Sequence, residues 1–200
     1  MRILVTGGAG FIGSNLVHAL SGEHEVGVID DLSTGSIEDL HPAAWFRKLD
    51  ILDPAFPALI AEFGPHAVVH LAAQASVTES LRDPERDWQV NAEGTRMVAA
   101  AAAAAGAKRM ISASSAAVYG EPSVVPLSED AHKAPANPYG RSKLAAEQFL
   151  AEEIVSTAVD FASFRFSNVY GPRQDWRGEG GVVAIFCARL AAGERPIIFG

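Results

Sequence analysis

Cysteine is almost missing from this sequence: Cys187 is the only one in 200 residues. A lone thiol excludes an internal disulfide framework and a multi-thiolate metal site, and no metal is expected. Positive charge is scarce as well. Sixteen Lys and Arg face 24 Asp and Glu, for a formal net charge of −8. The deficit lies in the first hundred residues, with 6 basic against 14 acidic side chains; the second hundred holds 10 of each. No basic run of the kind that grips a phosphate backbone is present, so nucleic acid is not an expected partner. Long apolar runs are missing too. The apolar N-terminus is broken by Gly7-Gly8-Ala9-Gly10 and makes a poor secretory signal. The longest alanine-rich stretch, Met97 to Ala107, is too short to cross a bilayer. A cytoplasmic protein with no membrane partner is expected.

What is present is a core and a rhythm. Hydrophobic residues make up 48% of the chain, which supports a packed interior. The length suits one domain with the start of a second. Short β-branched runs alternate with helical patterns. Strands are predicted at Arg2–Thr6, Glu25–Ile29, Trp45–Leu49, His66–Leu71, Lys108–Ala113 and Val159–Phe166, with a short one at Pro196–Phe199. Helices are predicted at Phe11–Leu20, Pro54–Phe63, Pro84–Ala105, Pro138–Ser156 and Val182–Ala192. Nearly continuous apolar strands alternating with helices indicate an α/β fold, a parallel sheet covered on both faces. The alanine run Ala99–Ala105 reads as a closely packed helix. Tyr119–Pro138 carries four of the eleven prolines. So long an irregular stretch in a compact domain is more often functional than idle. His66 and His70 fall on one strand, where a four-residue step spans ~13 Å and cannot serve one ion. Cys187 lies on an apolar helix pattern and reads as a packing residue.

Thr6-Gly7-Gly8-Ala9-Gly10-Phe11-Ile12-Gly13 joins the first strand to the first helix. In such a join the first glycine allows a tight turn, Gly10 lets backbone approach a diphosphate, and Gly13 lets the helix pack on the strand. Asp30 ends the second strand, where a carboxylate can accept from ribose hydroxyls. Residues 3–46 contain no Lys or Arg. A 2′-phosphate would therefore meet Asp30 and Asp31 with no local cation, which favours NAD over NADP.

Tyr139 and Lys143 open the long predicted helix on one face, four residues apart. An ammonium beside a phenol is expected to lower its pKa and make it a usable base. Ser114-Ser115-Ala116-Ala117 lies upstream at a strand end, where open α/β sheets place ligands. Taken together, these motifs resemble the extended short-chain dehydrogenase/reductases, and within them the NAD-dependent epimerase/dehydratase family. The similarity runs over essentially the whole chain. Gly7, Gly10 and Gly13 match its glycine signature, with Phe11 and Ile12 at cofactor-contacting positions inside it. Asp30-Asp31-Leu32-Ser33-Thr34-Gly35 resembles the family's adenosine loop, with Asp31 where Asn is usual. Asp50-Ile51 matches the pair near the adenine. His70-Leu71-Ala72-Ala73-Gln74 matches the strand end beside the nicotinamide ribose and phosphates. Asn91-Ala92-Glu93-Gly94-Thr95 is similar to a family helix segment in which Asn91 is structural. Ser115, Tyr139 and Lys143 fall on the catalytic trio, with Tyr139 and Lys143 also touching cofactor and Ser115 and Tyr139 also touching substrate. Ser167 falls on a cofactor-facing position and Asn168 on a substrate contact.

The resemblance implies a Rossmann-type doubly wound sheet, with an NAD-binding domain over 1–170 and the beginning of a smaller substrate domain over 171–200. It implies an isomerase that inverts carbon 4 of a UDP-hexose, of the UDP-glucose/UDP-galactose type, through a transient 4-keto sugar. It also implies a homodimer. The alternative is a nucleotide-sugar dehydratase or reductase. Dehydratases of this group typically carry Asp-Glu after the catalytic Ser or Thr; Ala116-Ala117 cannot transfer protons, which favours the epimerase. Arg173 and Arg177 are of the type that grips a diphosphate, or are solvated surface residues. The chain ends at Ile197-Ile198-Phe199-Gly200, where family members continue, so a partial chain is expected.

Overall fold

In the computed structural model, which describes residues 1–122, 124–177 and 181–198, the first strand β1 (Arg2–Thr6) is buried from Ile3 to Thr6. Its alternating side chains feed two separate cores. Ile3 and Val5 pack with Val17 of helix α1 (Phe11–Leu20) and with Val26 and Val28 of β2 (Glu25–Asp30). Leu4 points the other way, into a larger cluster with Phe56 and Ile60 of α2 (Phe56–Phe63). Val68 of β4 (Ala67–His70) and Met110 of β5 (Arg109–Ser115) belong to that cluster as well. Burial on both faces is why these strands read as unbroken apolar runs.

The sheet has six strands in the order β3-β2-β1-β4-β5-β6, all parallel, with β3 at Trp45–Lys48 and β6 at Asp160–Phe166. This is the doubly wound, Rossmann-type order, in which direction reverses between β1 and β4 and ligands bind beyond the strands' carboxyl ends. Cover thins at β6. Phe161 is 44% exposed and Phe164 50% exposed, so the expectation of a sheet covered on both faces fails at this edge.

The helical expectations hold in outline and differ in two places. The stretch Pro84–Ala105 is not one regular helix. It divides into α4 (Pro84–Trp88), a wide π turn at Gln89–Glu93, and α5 (Gly94–Ala104). A short α3 (Val77–Arg82) precedes them, capped by Ser76, whose hydroxyl accepts from Glu79 N–H at 3.0 Å. The alanine run packs as expected, with Ala99, Ala101 and Ala102 buried in α5. The long α6 spans Pro138–Ile154.

Two units are resolved by compactness, Met1–Ser167 and Asn168–Gly200. The second contains α7 (Val182–Ala191), none of whose residues is buried. Cys187 is exposed there, which corrects its reading as a packing residue: its short unit offers α7 no core. No strand forms at Pro196–Ile198, and the last residue of that predicted strand, Phe199, lies outside the described residues.

His70 ties the carboxyl end of the sheet together. Its Nδ1 accepts from the Thr6 hydroxyl at 2.7 Å, and its Nε2 donates to Thr95 Oγ1 at 3.1 Å. The direction follows from the neighbours: the Thr95 hydroxyl donates to Asn91 C=O at 2.6 Å, and Thr6 Oγ1 accepts from Ala72 N–H at 3.4 Å. Burial, and secondarily the charge of Lys143, pushes the imidazole down to about 3. An unfolded histidine takes up its proton near 6.5. Stability tied to His70 is therefore complete above that value and drains away as pH falls toward 3, at about 1.4 kcal/mol per unit. Urea unfolding at pH 7 and pH 5 should show the wild type losing about 2 kcal/mol more than His70→Gln. Equal losses would remove His70 as the cause.

Candidate active site

The glycine turn is built by close backbone contact. Gly7 has φ +70, and a Cβ there would lie 2.5 Å from Ala72 N. A Cβ on Gly13 would lie 2.2 Å from Gly7 O. The turn therefore sits directly against Leu71-Ala72, the start of the segment Leu71-Ala72-Ala73-Gln74 that leaves β4 with Leu71 N–H donating to Thr6 C=O at 3.0 Å. Phe11 and Ile12 are half-buried at the start of α1, whose first turn receives no side-chain cap.

Asp30 binds this turn from the next strand. Its Oδ2 accepts from Ala9 N–H at 2.9 Å and its Oδ1 from Leu32 N–H at 2.8 Å. Burial pushes the carboxyl up, against the pull of these two N–H groups, and the charge of Asp31 adds to the rise. Asp30 is thus a structural acceptor, and each oxygen keeps a further lone pair for a hydroxyl. Asp31 Oδ1 accepts from Ser33 N–H at 2.9 Å and from the Ser33 hydroxyl at 2.6 Å, which shapes the Leu32-Ser33-Thr34-Gly35 loop. Ser36 N–H donates back to Ala9 C=O at 3.1 Å. Asp50 accepts from Leu52 N–H at 2.9 Å and faces Arg86 at 3.4 Å. Ile51 commits its side chain to the larger core.

Ser115, Tyr139 and Lys143 converge at the ends of β5 and α6. Asn137 caps α6 by accepting from Gly140 N–H at 2.8 Å, and Pro138 suits the first helical position. The Ser80 hydroxyl accepts from Tyr139 N–H at 3.2 Å. A Cβ on Gly140 would lie 2.6 Å from Ala117 O, so the first turn of α6 rests on the 3-10 turn Ala116–Tyr119 that follows Ser115. Ser115 Oγ accepts from Ala117 N–H at 3.1 Å. Lys143 is buried, donates from Nζ to Ala113 C=O at 3.0 Å, and lies 5.9 Å from the Tyr139 ring centre.

The electrostatics correct one expectation. Tyr139 is pushed up, by burial first and then by the negative charge of Asp87, while a hydrogen bond with Ser115 pulls the other way. Lys143 does not lower it: the amine, itself pushed down, loses its charge before the raised phenol can release its proton. Burial pushes Lys143 down to about 8, with Asp87 opposing.

Two polar groupings extend beyond the motif reading, one adding Asp87 to Gln74 and Asn91. Gln74 accepts and donates within its own surroundings. Its N–H donates to Asn91 Oδ1 at 3.0 Å, its C=O accepts from Asn91 Nδ2 at 2.9 Å, and its Nε2 donates to Asp87 Oδ1 at 2.8 Å. Asn91 is structural, as expected. The other grouping centres on Arg165 of β6, which grips both Glu147 oxygens of α6 at 2.8 and 2.7 Å. Its Nη1 donates to the Tyr119 hydroxyl at 2.7 Å and to Glu129 C=O at 2.8 Å. Ser114 donates to the same carboxylate. Burial alone would raise Glu147, but the hydrogen bonds and charge of Arg165 hold it down. One side chain thereby fixes β5, α6, β6 and the irregular segment after Tyr119. Arg165→Met should cost about 2–3 kcal/mol and speed hydrogen exchange over residues 119–134. Unchanged exchange would contradict the clamp. No local spacing signals this pair, because Arg165 lies 18 residues beyond Glu147.

Ser167 and Asn168 are both exposed where the two units meet in sequence. Arg177 pairs with Asp175 at 2.9 Å and is surface-exposed, and Arg173 has φ +65.

Residues 3–200 match the family model described as the NAD dependent epimerase/dehydratase family. The chain belongs to that family. One curated member, the UDP-glucose 4-epimerase of Mycolicibacterium smegmatis, is 47% identical; the alignment covers 100% of this chain and 66% of the relative. A crystal structure of UDP-glucose 4-epimerase with UDP-glucose from Thermotoga maritima is 41% identical with a TM-score of 0.95, covering 100% of this chain and 66% of that one. The Thermus thermophilus UDP-glucose 4-epimerase complex with NAD is 42% identical with a TM-score of 0.91, covering 98% and 64%. The chain thus spans about two thirds of the length of these family members.

Proposed function

We propose that this protein is an NAD-dependent isomerase that inverts carbon 4 of a UDP-hexose, of the UDP-glucose/UDP-galactose type. The observation that carries the reading is the meeting of Ser115, Tyr139 and Lys143 at the carboxyl end of the sheet, which also holds the glycine turn, with Ala116-Ala117 in place of further acid groups. The names of its relatives support the same substrate class.

The residues fit NAD. A Cβ on Gly10 would meet only Gly7 O, at 3.4 Å, so the turn is open there, and the uncapped α1 terminus offers N–H groups to an anion. Gly7, Gly10, Phe11, Ile12 and Gly13 would hold the diphosphate. Asp30, Asp31, Leu32, Ser33, Thr34 and Gly35 would hold the adenosine ribose, with Asp50 and Ile51 near the adenine. Leu71, Ala72, Ala73, Gln74, Lys143 and Ser167 would serve the nicotinamide side. When bound, NAD supplies reversible hydride chemistry at carbon 4, which becomes a ketone and is reduced again on its other face.

The chain's own groups handle the proton. Tyr139, as phenolate once its own proton has gone to solvent, takes the proton of the carbon 4 hydroxyl and returns it after the keto sugar turns over. Burial holds that proton on the phenol, so a positive charge brought beside Tyr139 would favour its release. Ser115 holds the reacting oxygen as its charge changes. Asn168 is proposed as a sugar-nucleotide contact on the family resemblance. Residues 1–170 would form the NAD domain and 171–200 the start of the substrate domain. A homodimer in the cytoplasm completes the proposal, and the single cysteine suits a reducing compartment. Incubation with a panel of nucleotide sugars, resolved by chromatography, tests it. UDP-galactose formed from UDP-glucose is expected; a keto-sugar product or net NADH would assign the dehydratase or reductase chemistry instead.

A further inference from the structure

We propose that Asp87 is a positioning residue for the reacting pair: its buried carboxylate, pinned by two side-chain amides, is the counter-charge of the Lys143 ammonium. This deepens the reading of Tyr139 and Lys143 as the reacting pair and rests on it.

Asp87 lies on α4 with 0% exposure. Its Oδ1 accepts from Gln74 Nε2 at 2.8 Å and from Asn91 Nδ2 at 3.1 Å. Both amides are tied elsewhere, Gln74 to Ser76 C=O and Asn91 to the Gln74 backbone, so the carboxylate cannot swing away. Its Oδ2 is buried with no hydrogen-bond partner of ordinary geometry among the described residues. A buried carboxylate oxygen left in this state is costly unless a positive charge compensates it.

The positive charge that acts on it is that of Lys143, on α6. Asn91 Nδ2 also reaches Ser142 Oγ at 3.2 Å, and Ser142, the neighbour of Lys143, donates to Tyr139 C=O at 3.0 Å. One cluster thus joins Asp87 to the turn of α6 that carries both reacting side chains. Lys143 itself forms no direct ion pair among the described residues. The titratable groups that act on it come from two other elements: Asp87 on α4, and His70 on β4, which burial keeps uncharged. Burial carries Asp87 above the ordinary carboxylate range, against the opposing pull of Ser142, Gln74 and the charge of Lys143. The same negative charge favours the protonated form of Lys143 and the neutral form of Tyr139. Asp87 therefore biases both groups of the unliganded pair toward their protonated forms, so that the phenol must give its proton to solvent before it serves as base.

The chain has four lysines, Lys48, Lys108, Lys133 and Lys143. With 13C at each lysine Cε, an NMR titration resolves Lys143, assigned by its loss in Lys143→Arg. Asp87→Asn should lower the Lys143 midpoint by a pH unit or more from the wild-type value. Asp87→Ser, which drops the amide as well, should do the same. An unmoved midpoint in either folded variant would reduce Asp87 to an anchor for Gln74 and Asn91 and overturn the proposal. Failure of both variants to fold would overturn it too, by making Asp87 a determinant of the core. The titration needs no turnover, so its failure and failure of the sugar reaction are separate results.

Discussion

Tyr139→Phe should lower turnover of the nucleotide sugar by about 10³-fold while leaving the fold and NAD affinity near wild type. The ring stays where it is, because its place is set by backbone and helix contacts: the Asn137 cap, the Ser80 bond to Tyr139 N–H, and the rest of α6 on Ala117. Only the phenol oxygen is lost. That oxygen is the group placed to move the sugar hydroxyl proton, since Ser115 is a far weaker acid or base and Lys143 is turned to Ala113 C=O. The glycine turn lies on other elements, so cofactor affinity should change little. Initial rates, NAD fluorescence titration and a thermal melt on the same preparations check all three statements. Loss of rate accompanied by equal loss of fold would assign Tyr139 to the core.

Gly13→Ala should be damaging in the opposite way, by removing the fold's cofactor end. The added carbon would stand 2.2 Å from Gly7 O and 2.7 Å from Gly8 Cα, both backbone atoms, so α1 must move away from the turn. Overpacking of this kind costs about 3 kcal/mol. The displaced turn also carries Ala9, whose N–H holds Asp30, and so the adenosine loop shifts with it. Urea unfolding should show the loss of stability, and NAD affinity should fall at least tenfold. Wild-type affinity in a folded Gly13→Ala protein would contradict the role given to this turn.

The central strands β2 and β1 were legible because both their faces are buried, and apolar continuity records that directly. The glycine turn, Asp30 and the Tyr139–Lys143 pair were legible because short-range spacing carries their geometry. The break of Pro84–Ala105 was not. Helix propensity reads the same through a π turn, and what selects the turn is the long-range demand of Gln74 and Ser142 for Asn91. Asp87 was hidden for the same reason: its partners Gln74 and Lys143 lie 13 residues before and 56 after it. Helix α3 did leave a local mark, the Ser76-Val77-Thr78-Glu79 capping pattern. Asp30 reads in sequence as a ribose acceptor, yet both its oxygens first serve backbone N–H groups, a use that spacing cannot show. The sign of the Tyr139 shift also depended on burial and on the charge of Asp87, neither of which a four-residue spacing contains.

The central claim is that carbon 4 is oxidised and reduced again within one site. It is tested most directly with UDP-glucose carrying deuterium on carbon 4 of the sugar, incubated with the protein without added NAD. The expected product is UDP-galactose that retains the deuterium on carbon 4. UDP-galactose with that label exchanged into water, or a labelled sugar returned with carbon 4 unchanged, would contradict it.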